Sequence, residues 1–256
     1  MRGDPIRRPA MEEKLDNVPR TLFEEARSPR EKYQALMVGQ PGLWALLRYE
    51  LIMLVASRMP GALGLFLRSR LYPRLLGACG RNVFFGHGVT LRHPHKIRLG
   101  DNVVIDEGCV LDAKGRHNHG ITIGSRVFIG RFSSVNTKDG DIVLEDEVNV
   151  GTFCTIFSAS RVVVGARTLI AGYSYLIGGG HEFSRTDVAV SEQARPSRGI
   201  TVGPDGWIGA GVSVLDGVTI GRGVVVGANA VVTKDLPDYA VAAGTPATVL
   251  RQREAP

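Results

Sequence analysis

Branched aliphatic residues recur every six positions in the last third of the chain. They are Val202, Ile208, Val214, Ile220, Val226 and Val232. Glycine follows four of them, and a small or β-branched residue stands four positions after each of the first five. Helices repeat about every 3.6 residues and strands every second residue, so neither element produces this period. A period of six with regular glycines predicts a parallel β-helix, a solenoid in which each coil buries its inner face against its neighbours.

The same pattern, with interruptions, extends upstream and predicts a β-helix over residues 81–236. Rows of six begin at aliphatic residues from Val83 onward, and short insertions break the phase after Val135 and Ile156. We expect about seven coils, each adding one strand spacing of roughly 4.8 Å. Cys109 and Cys154 occupy the small interior position of their rows, where structural filling is the expected role of a cysteine. The largest insertion spans residues 177–201, and functional residues concentrate on such polar excursions.

The first 80 residues lack the six-residue period. Residues 1–27 are charged and contain three prolines, so we expect a mobile arm. Ser28-Pro29-Arg30-Glu31 is a helix start signal, with serine at the N-cap, proline at N1 and glutamate at N3. Residues 28–80 are therefore predicted to form a helical segment, and residues 237–256 a tail with a short extended stretch. The apolar segments between are too short and too charged for a membrane span.

The charge distribution leaves two interpretations of this helical segment open. The net charge is +6, and residues 1–75 hold 13 Lys/Arg against 8 Asp/Glu. Between residues 43 and 76 there are five arginines and one glutamate, set among long aliphatic residues. The segment is either a cap on the open first coil or, at the same time or instead, a cationic surface that lies peripherally on the cytoplasmic face of the membrane. A nucleic-acid partner is not expected, because basic residues interleaved with aromatic ones are missing.

The cysteine count and the N-terminus indicate the compartment. Three cysteines make an odd number, and the first residues contain no secretory signal pattern. A reducing cytoplasm is therefore the expected location.

Four motifs carry a resemblance to a known family. They are GGGHEF at 178–183, WIGAGV at 207–212, VVTKDLP at 231–237 and AAGTPATVLR at 242–251. In order and spacing they resemble the galactoside/maltose and polysaccharide O-acetyltransferases of the hexapeptide-repeat family, over roughly residues 82–251. The resemblance implies an all-β fold, a left-handed parallel β-helix behind an N-terminal helical cap. It also implies an acetyl-CoA-dependent O-acetyltransferase that works as a homotrimer on a sugar hydroxyl of a glycan or lipid-linked precursor.

The resemblance also implies the site residues. His181 matches the catalytic histidine, and a histidine has the near-neutral pKa that a general base needs. Glu182 and Glu192 are alternative carboxylates to orient its ring, and Trp207 is a candidate contact with the acceptor. The residues that match the family's acetyl-CoA contacts are Ala210, Ala228, Thr233, Lys234 and Arg251. The chain departs from the family at Thr248, where some members have arginine, and at residues 151–154, where several sugar acetyltransferases have asparagine.

Two other functions remain as alternatives. A γ-class carbonic anhydrase shares the fold and binds zinc through three histidines, but the His-x4-His pair of that family is missing here. The remaining histidines are therefore expected at solvated corners, with no metal ligand among them. A scaffold without catalysis would leave the insertion and the tail motifs without a purpose. No cysteine is placed as an acyl carrier, so direct transfer from acetyl-CoA is expected.

Overall fold

The computed structural model describes residues 28–254, so the mobile arm predicted for residues 1–27 lies outside the described residues. Three α-helices come first: α1 (Pro29–Met37), α2 (Leu43–Ala56) and α3 (Gly61–Leu71). The predicted start of α1 is confirmed, because the Ser28 side chain accepts from the Glu31 amide and the Glu31 side chain returns to the Ser28 amide. Short 3₁₀ turns occupy Tyr72–Arg74, Pro94–Lys96 and Val190–Glu192.

The rest of the described chain folds into three sheets, A, B and C, which form the sides of a solenoid. The strands of sheet A are β1 (Ala78–Cys79), β4 (Ile97–Leu99), β7 (Ile121–Ile123), β10 (Asp141–Leu144), β13 (Arg161–Val164), β16 (Ile200–Val202) and β19 (Thr219–Ile220). The strands of sheet B are β2 (Phe84–Phe85), β5 (Val104–Ile105), β8 (Phe128–Ile129), β11 (Asn149–Val150), β14 (Leu169–Ile170), β17 (Trp207–Ile208), β20 (Val225–Val226), β22 (Ala240–Ala243) and β23 (Thr248–Gln252). The strands of sheet C are β3 (Thr90–Arg92), β6 (Val110–Asp112), β9 (Ser134–Thr137), β12 (Thr155–Ser158), β15 (Tyr175–Gly178), β18 (Ser213–Val214) and β21 (Val231–Val232).

The register explains the six-residue period and confirms the predicted β-helix. Val202 lies opposite Ile220 in sheet A, Ile208 opposite Val226 in sheet B, and Val214 opposite Val232 in sheet C. Consecutive aliphatic residues therefore belong to consecutive sheets, and every third one stacks on the same column. All six are buried, and burying each such side chain contributes roughly 1.5–3 kcal/mol.

Two edges of the solenoid turn through one left-handed residue per coil. We name edge AB the turn between sheets A and B, and edge BC the turn between sheets B and C. The positive-φ residues of edge AB are Asn82, Asn102, Arg126, Glu147, Arg167, Asp205, Gly223 and Tyr239. Those of edge BC are Gly88, Gly108, Phe132, Phe153, Tyr173, Gly211 and Asn229. Non-glycine residues pay a cost of about 1 kcal/mol or more at such φ values, so the contacts between stacked coils must hold them there.

The side chains of these two edges differ in chemistry. On edge AB, Arg126 pairs with Glu147, and Asp205 accepts from both Arg167 and Arg222. On edge BC, the rings of Phe132, Phe153 and Tyr173 stack with centroids 5.2 and 5.1 Å apart. Edge AB thus carries ion pairs between successive coils. We call the three stacked rings of edge BC, Phe132, Phe153 and Tyr173, the aromatic ladder.

The third edge, which we name edge CA, collects the insertions. The connections from sheet C to the next strand of sheet A include residues 93–96, 113–120, 138–140, 159–160 and 179–199. Because neither sheet loses register where these loops leave, extra residues on this edge do not disturb the stack. The phase breaks after Val135 and Ile156 are two of these loops.

The helices seal the first coil. The backbone carbonyls of that coil lack a preceding strand, and unpaired strand edges are a liability in sheet proteins. The hydroxyl of Tyr49 donates to the Leu91 carbonyl at 2.8 Å, and that of Tyr72 donates to the Val89 carbonyl at 3.0 Å. Arg68 donates to the Phe85 carbonyl at 2.8 Å. These three buried side chains confirm that the helical segment caps the solenoid.

The prediction that all five arginines between residues 43 and 76 could form a cationic surface is wrong for Arg68. It is 3% exposed, and its guanidinium donates to the carbonyls of Ala56 and Met59 as well. Of the five arginines between residues 43 and 76, only the other four are available to a partner. Within residues 28–254, no helix combines the length and the apolar character that are needed to cross a bilayer.

The interior positions of the coils hold small and hydroxylated side chains, as expected. Cys109 and Cys154 are buried, and burial raises the pKa of the Cys109 thiol to about 11. A thiol that stays protonated at neutral pH is a poor nucleophile, in agreement with a structural role. Ser133 and Ser174 donate to the carbonyls of Gly151 and Gly209 in the next coil, so these buried hydroxyls are paired.

Candidate active site

The longest loop of edge CA, residues 179–199, is held in place at three points. The amides of Gly180 and Glu182 donate to the carbonyls of Pro196 and Ala194, which ties the two limbs of the loop together. The buried side chain of Gln193 accepts from the Arg185 amide and donates to its carbonyl. The loop therefore keeps a defined path although most of its side chains are exposed.

At the base of the loop a further network fixes the return to sheet A. Asp216 accepts from the amides of Arg198 and Gly199 at 2.8 Å each. The Ser197 hydroxyl donates to the Gly178 carbonyl at 3.0 Å, next to the end of β15. These bonds join the two ends of the loop to each other and to the following coil.

His181 lies three residues beyond strand β15, at the start of this loop. Its side chain is exposed, and among the described residues its ring has no hydrogen-bond partner. The backbone on both sides is fixed by the Gly180 and Glu182 amides. The backbone that carries the imidazole is therefore held in place on the edge, and both ring nitrogens are open to a ligand.

Neither predicted carboxylate bonds to the imidazole. One oxygen of Glu182 accepts from the amides of Phe183 and Ser184 at 3.1 Å, and hydrogen bonds from Ser184 lower the pKa of this carboxyl. Glu192 ends the Val190–Glu192 turn on the far limb of the loop and is exposed. The choice between them as the group that orients His181 stays a prediction.

Ala210 and Ala228 lie on edge BC, one coil apart. Both are exposed, and the amide of Asn229 donates to the Ala210 carbonyl at 2.8 Å. Sheet C separates this edge from edge CA. A row of six residues at about 3.3 Å per residue spans up to ~20 Å. Within one chain, His181 and the alanine pair therefore lie at opposite sides of one sheet.

The remaining candidate residues lie near the C-terminal end of the solenoid. Thr233 and Lys234 follow β21 and are exposed, and within the part described Lys234 has no ion pair. Arg251 lies on β23, which returns antiparallel to β22 and places it opposite Val241. Trp207 lies on β17, and its ring is 53% exposed on the outside of sheet B. The structure groups these residues on the last coils but does not bring them to His181 within one chain.

The aromatic ladder is a feature of this region that the sequence interpretation missed. Its rings are 46–68% exposed, and Tyr173 precedes Gly211 on edge BC, next to Ala210. The signal was present, because Phe132, Phe153 and Tyr173 follow one another at intervals of 21 and 20 residues, about one coil each. Aromatic faces of this kind are frequent at binding surfaces.

The prediction that the other histidines lie at solvated corners is wrong for His93 and His95, which are buried and half-buried, whereas the remaining three are exposed. His93 is buried, and its Nε2 lies 2.8 Å from the Ala35 carbonyl of α1, so it donates there and joins α1 to the first coil. Its ring stacks on that of His95, whose pKa burial lowers to about 4. His117 and His119 are exposed on a loop of edge CA. Among the residues described, no three metal-binding side chains come together.

Comparisons with known proteins agree with this architecture. Residues 199–234 match the family model described as bacterial transferase hexapeptide (six repeats). Residues 79–113 match the hexapeptide repeat of succinyl-transferase. The structure is similar to that of AntD, an N-acyltransferase from Bacillus cereus, with 22% identity and a TM-score of 0.50 over 70% of this chain and 85% of AntD. At that identity the likeness concerns the fold.

Sequence relatives carry the identification further. The chain is 32% identical to Rv3034c of Mycobacterium tuberculosis, named as an acetyltransferase, over 62% of this chain but only 55% of that protein. It is 31% identical to WbbJ of Escherichia coli, named as a lipopolysaccharide biosynthesis O-acetyl transferase, over 63% of this chain and 74% of WbbJ. It is 36% identical to WcaF of Escherichia coli, named as a colanic acid biosynthesis acetyltransferase, over 52% of this chain and 70% of WcaF. The chain belongs to the hexapeptide-repeat acetyltransferases.

Proposed function

We propose that this protein transfers the acetyl group of acetyl-CoA to a sugar hydroxyl, with His181 as the general base. The observation that carries the proposal is the setting of His181. It is an exposed imidazole without a hydrogen-bond partner among residues 28–254, on a loop whose backbone is held by hydrogen bonds on both sides. A general base needs such a combination of accessibility and fixed position.

The chemistry follows from the properties of the groups. A sugar hydroxyl is a weak nucleophile, so His181 accepts its proton while the oxygen forms a bond to the acetyl carbonyl carbon. The carbon–sulfur bond then breaks, and the imidazolium returns the proton to the departing thiolate. Backbone amides near the loop would stabilise the negative charge that develops on the carbonyl oxygen. The products are an acetyl ester and CoA, and no enzyme-bound acyl group is required.

The surface of the last coils fits a long, phosphorylated thioester. The side chains of Ala210 and Ala228 project little from edge BC, so that an extended pantetheine chain can lie against the backbone of two successive coils. Lys234 and Arg251 are exposed cations for the phosphates at the nucleotide end, and Thr233 lies beside Lys234. AntD, which shares the fold, is described in complex with dTDP and coenzyme A.

Because sheet C separates His181 from Ala210 and Ala228, we propose that the site is shared between chains. In a homotrimer with threefold symmetry, edge CA of one chain can face edge BC of the next. His181 of one protomer would then meet the acetyl end of a thioester held by its partner. This arrangement explains why the two halves of the site occupy different edges.

The names of two relatives support a glycan acceptor. WbbJ is named for lipopolysaccharide biosynthesis and WcaF for colanic acid biosynthesis. A glycan under assembly on a lipid carrier offers sugar hydroxyls close to the cytoplasmic membrane face, where we propose that this protein works. Trp207 is a candidate contact for such an acceptor.

A product analysis tests the proposal. The purified protein is incubated with acetyl-CoA and a panel of nucleotide sugars, soluble glycans and lipid-linked sugars, and products are identified by mass spectrometry. We expect one added acetyl group on a sugar, released by hydroxylamine as an ester is and an amide is not. Release of CoA that needs no acceptor, or an acetyl group on nitrogen, would contradict the proposed reaction.

A further inference from the structure

The outer surface of the helical cap is apolar. We call it the outer cap face, and it is formed by side chains of α2 and α3 that are 51–82% exposed. They are Leu43, Trp44, Leu47, Leu51, Leu54, Leu63 and Phe66. Scattered exposed leucines are common, but a contiguous group of this kind marks an interaction surface.

The opposite side of α2 explains why this face cannot be part of the core. Leu46, Tyr49, Ile52 and Ala56 are buried and face the first coil. Tyr49 reaches the Leu91 carbonyl of β3 from that side. The helix is therefore apolar around most of its circumference, and the side that points away from the coils has nothing to pack against among the described residues.

Exposed cations lie on the helical segment that carries the outer cap face. Arg48, Arg58, Arg70 and Arg74 are exposed, and none forms an ion pair with a described residue. Arg70 lies 5.5 Å from the centroid of Phe66, so its charge sits directly beside the apolar surface. The acidic residue of α2, Glu50, accepts a hydrogen bond from Tyr33. These four arginines and Glu50 together carry a net charge of 4 − 1 = +3.

We propose that the outer cap face docks on an anionic lipid bilayer. Leucines and an exposed tryptophan with arginines at their margin are the composition of helices that lie in a membrane interface. The positive charge favours anionic headgroups over the neutral, mixed surface of most protein partners. The face also lies at one end of the solenoid, so three caps of a parallel trimer would lie on one plane and bind together.

Docking in this way would fix the distance between the membrane surface and the loop that carries His181. The meaning of this distance for catalysis rests on the proposed function. Strand β15, which leads to His181, is the fifth strand of sheet C counted from the cap. Four strand spacings of about 4.8 Å and a helix about 10 Å thick place the loop roughly 30 Å above the membrane. The acceptor is then a glycan that extends from its lipid carrier into water, and not a sugar at the headgroup itself.

Co-sedimentation with vesicles tests the docking. Full-length protein is mixed with vesicles of phosphatidylcholine alone or with phosphatidylglycerol added. We expect binding only to the mixed vesicles, weakened by salt because the attraction is screened.

Variants of the outer cap face test which side chains bind the vesicles. The double change Leu51→Glu and Leu54→Glu is expected to abolish binding, and Arg48→Gln or Arg74→Gln is expected to weaken it about fivefold each. Leu250→Glu, which alters an equally exposed leucine at the other end of the solenoid, is the control and should bind as before. Equal binding to both vesicle types, or by the double variant, would overturn the proposal.

Tryptophan fluorescence distinguishes a bilayer from a protein cover. The chain has two tryptophans, so Trp207→Phe leaves Trp44 as the reporter on the outer cap face. We expect Trp44 to be quenched by acrylamide in buffer, and to shift to shorter wavelength and become protected when mixed vesicles are added. A Trp44 that is already shielded without lipid would mean that residues 1–27 or a second copy cover the face.

A parallel assay separates this inference from the proposed reaction. With a water-soluble glycan as acceptor, the Leu51→Glu, Leu54→Glu variant should turn over like the wild type, because its changes lie far from His181. Lost vesicle binding with retained turnover assigns the loss to docking. Absence of turnover in the wild type would contradict the proposed function and leave the vesicle result unaffected.

Discussion

At the scale of the single residue, the position of His181 depends on bonds that its own side chain does not make. The Gly180 and Glu182 amides are fixed to the opposite limb, and Gln193 holds the far end of the loop. Removing the imidazole should therefore lower the rate of the proposed reaction and leave the fold of the loop unchanged. This separation makes the residue a clean test of the proposed mechanism.

Replacing His181 with alanine should lower kcat by roughly 10²–10⁴-fold, the usual contribution of a positioned general base. The melting temperature and the affinity for acetyl-CoA should stay at their wild-type values, because the side chain is exposed and the predicted thioester contacts lie on other elements. Steady-state kinetics, calorimetry and thermal melts measure the three quantities. His119→Ala removes an exposed histidine from the same edge and serves as the control. Turnover within a few-fold of the wild type in His181→Ala would rule out the mechanism.

Lys234→Ala and Arg251→Ala should raise the apparent KM for acetyl-CoA and leave kcat much less affected. Both cations are predicted to contact the phosphates, which take part equally in the ground state and the transition state. Arg98→Ala, an exposed arginine on sheet A, should change neither constant. An unchanged KM in both tail variants would refute the assignment of this surface to the nucleotide end.

The sequence predicts the positions of some single residues in the fold but not those of others. The interior places of Cys109 and Cys154 were predictable, because every sixth position of a coil points inward. The buried role of Arg68 was not, since an arginine among leucines has the same pattern whether it faces solvent or a strand edge. Its carbonyl partners at Ala56, Met59 and Phe85 come from three different segments.

At the scale of the element, the helical cap and the first coil are joined through buried polar groups. His93 donates to the Ala35 carbonyl of α1, and His95 stacks on His93. Burial lowers the pKa of both histidines, that of His95 from 6.5 to about 4. Both are therefore neutral in the folded protein at pH 7.

Acid should loosen this junction. Below pH 6.5 the unfolded chain binds a proton at His95 that the folded chain does not bind until about pH 4. The stabilisation is therefore complete above pH 6.5 and declines as the pH falls from 6.5 toward 4. His95→Gln should have a melting temperature that depends less on pH in this window, whereas the exposed His119→Gln should keep the wild-type dependence. Thermal melts between pH 4 and pH 7 measure the difference, and parallel curves for His95→Gln and the wild type would contradict the expectation.

The strands of the last coils could be predicted from the sequence more fully than those of the earlier coils, for a physical reason. Where coils have 18 residues, as in the last ones, the period of six is visible and the strands follow from it. Upstream coils have 20 to 24 residues, and 38 in the coil that includes residues 179–199, because loops leave at edge CA. Rows could therefore be found, but their grouping into sheets could not. The return of β23 antiparallel to β22 could not be predicted, since the tail shows no period.

At the scale of the whole molecule, the two halves of the proposed site lie on different edges. If the site is shared as proposed, a monomer with His181 on edge CA and the alanine pair on edge BC has no complete site, whereas a cyclic trimer would have three. The periodicity predicts the solenoid but says nothing about which edges face one another. That information resides in exposed residues, which carry no periodic signal.

Mixed trimers test the shared site directly. His181→Ala and Ala228→Trp should each be inactive alone, the first without a base and the second with edge BC blocked. If the chains are refolded together and mix at random, about a quarter of the sites should combine an intact His181 with an intact Ala228 from its neighbour. Recovery of turnover, together with a trimer mass by light scattering, is the expected result. A stable monomer with full activity, or no recovery from a well-mixed sample, would contradict it.

The confinement of the insertions to edge CA has a consequence for how such a protein can change. Two edges turn through one left-handed residue per coil and tolerate no extra length, but the third accepts loops of two to twenty-one residues without a shift in register. A lineage can therefore lengthen, shorten or exchange segments beside His181 while the stack that is proposed to hold the thioester stays the same. The same freedom offers protein engineers a graft position. A loop from a relative with another acceptor, placed between Gly178 and Ile200 with a histidine kept at the position of His181, should alter substrate choice and leave the solenoid intact.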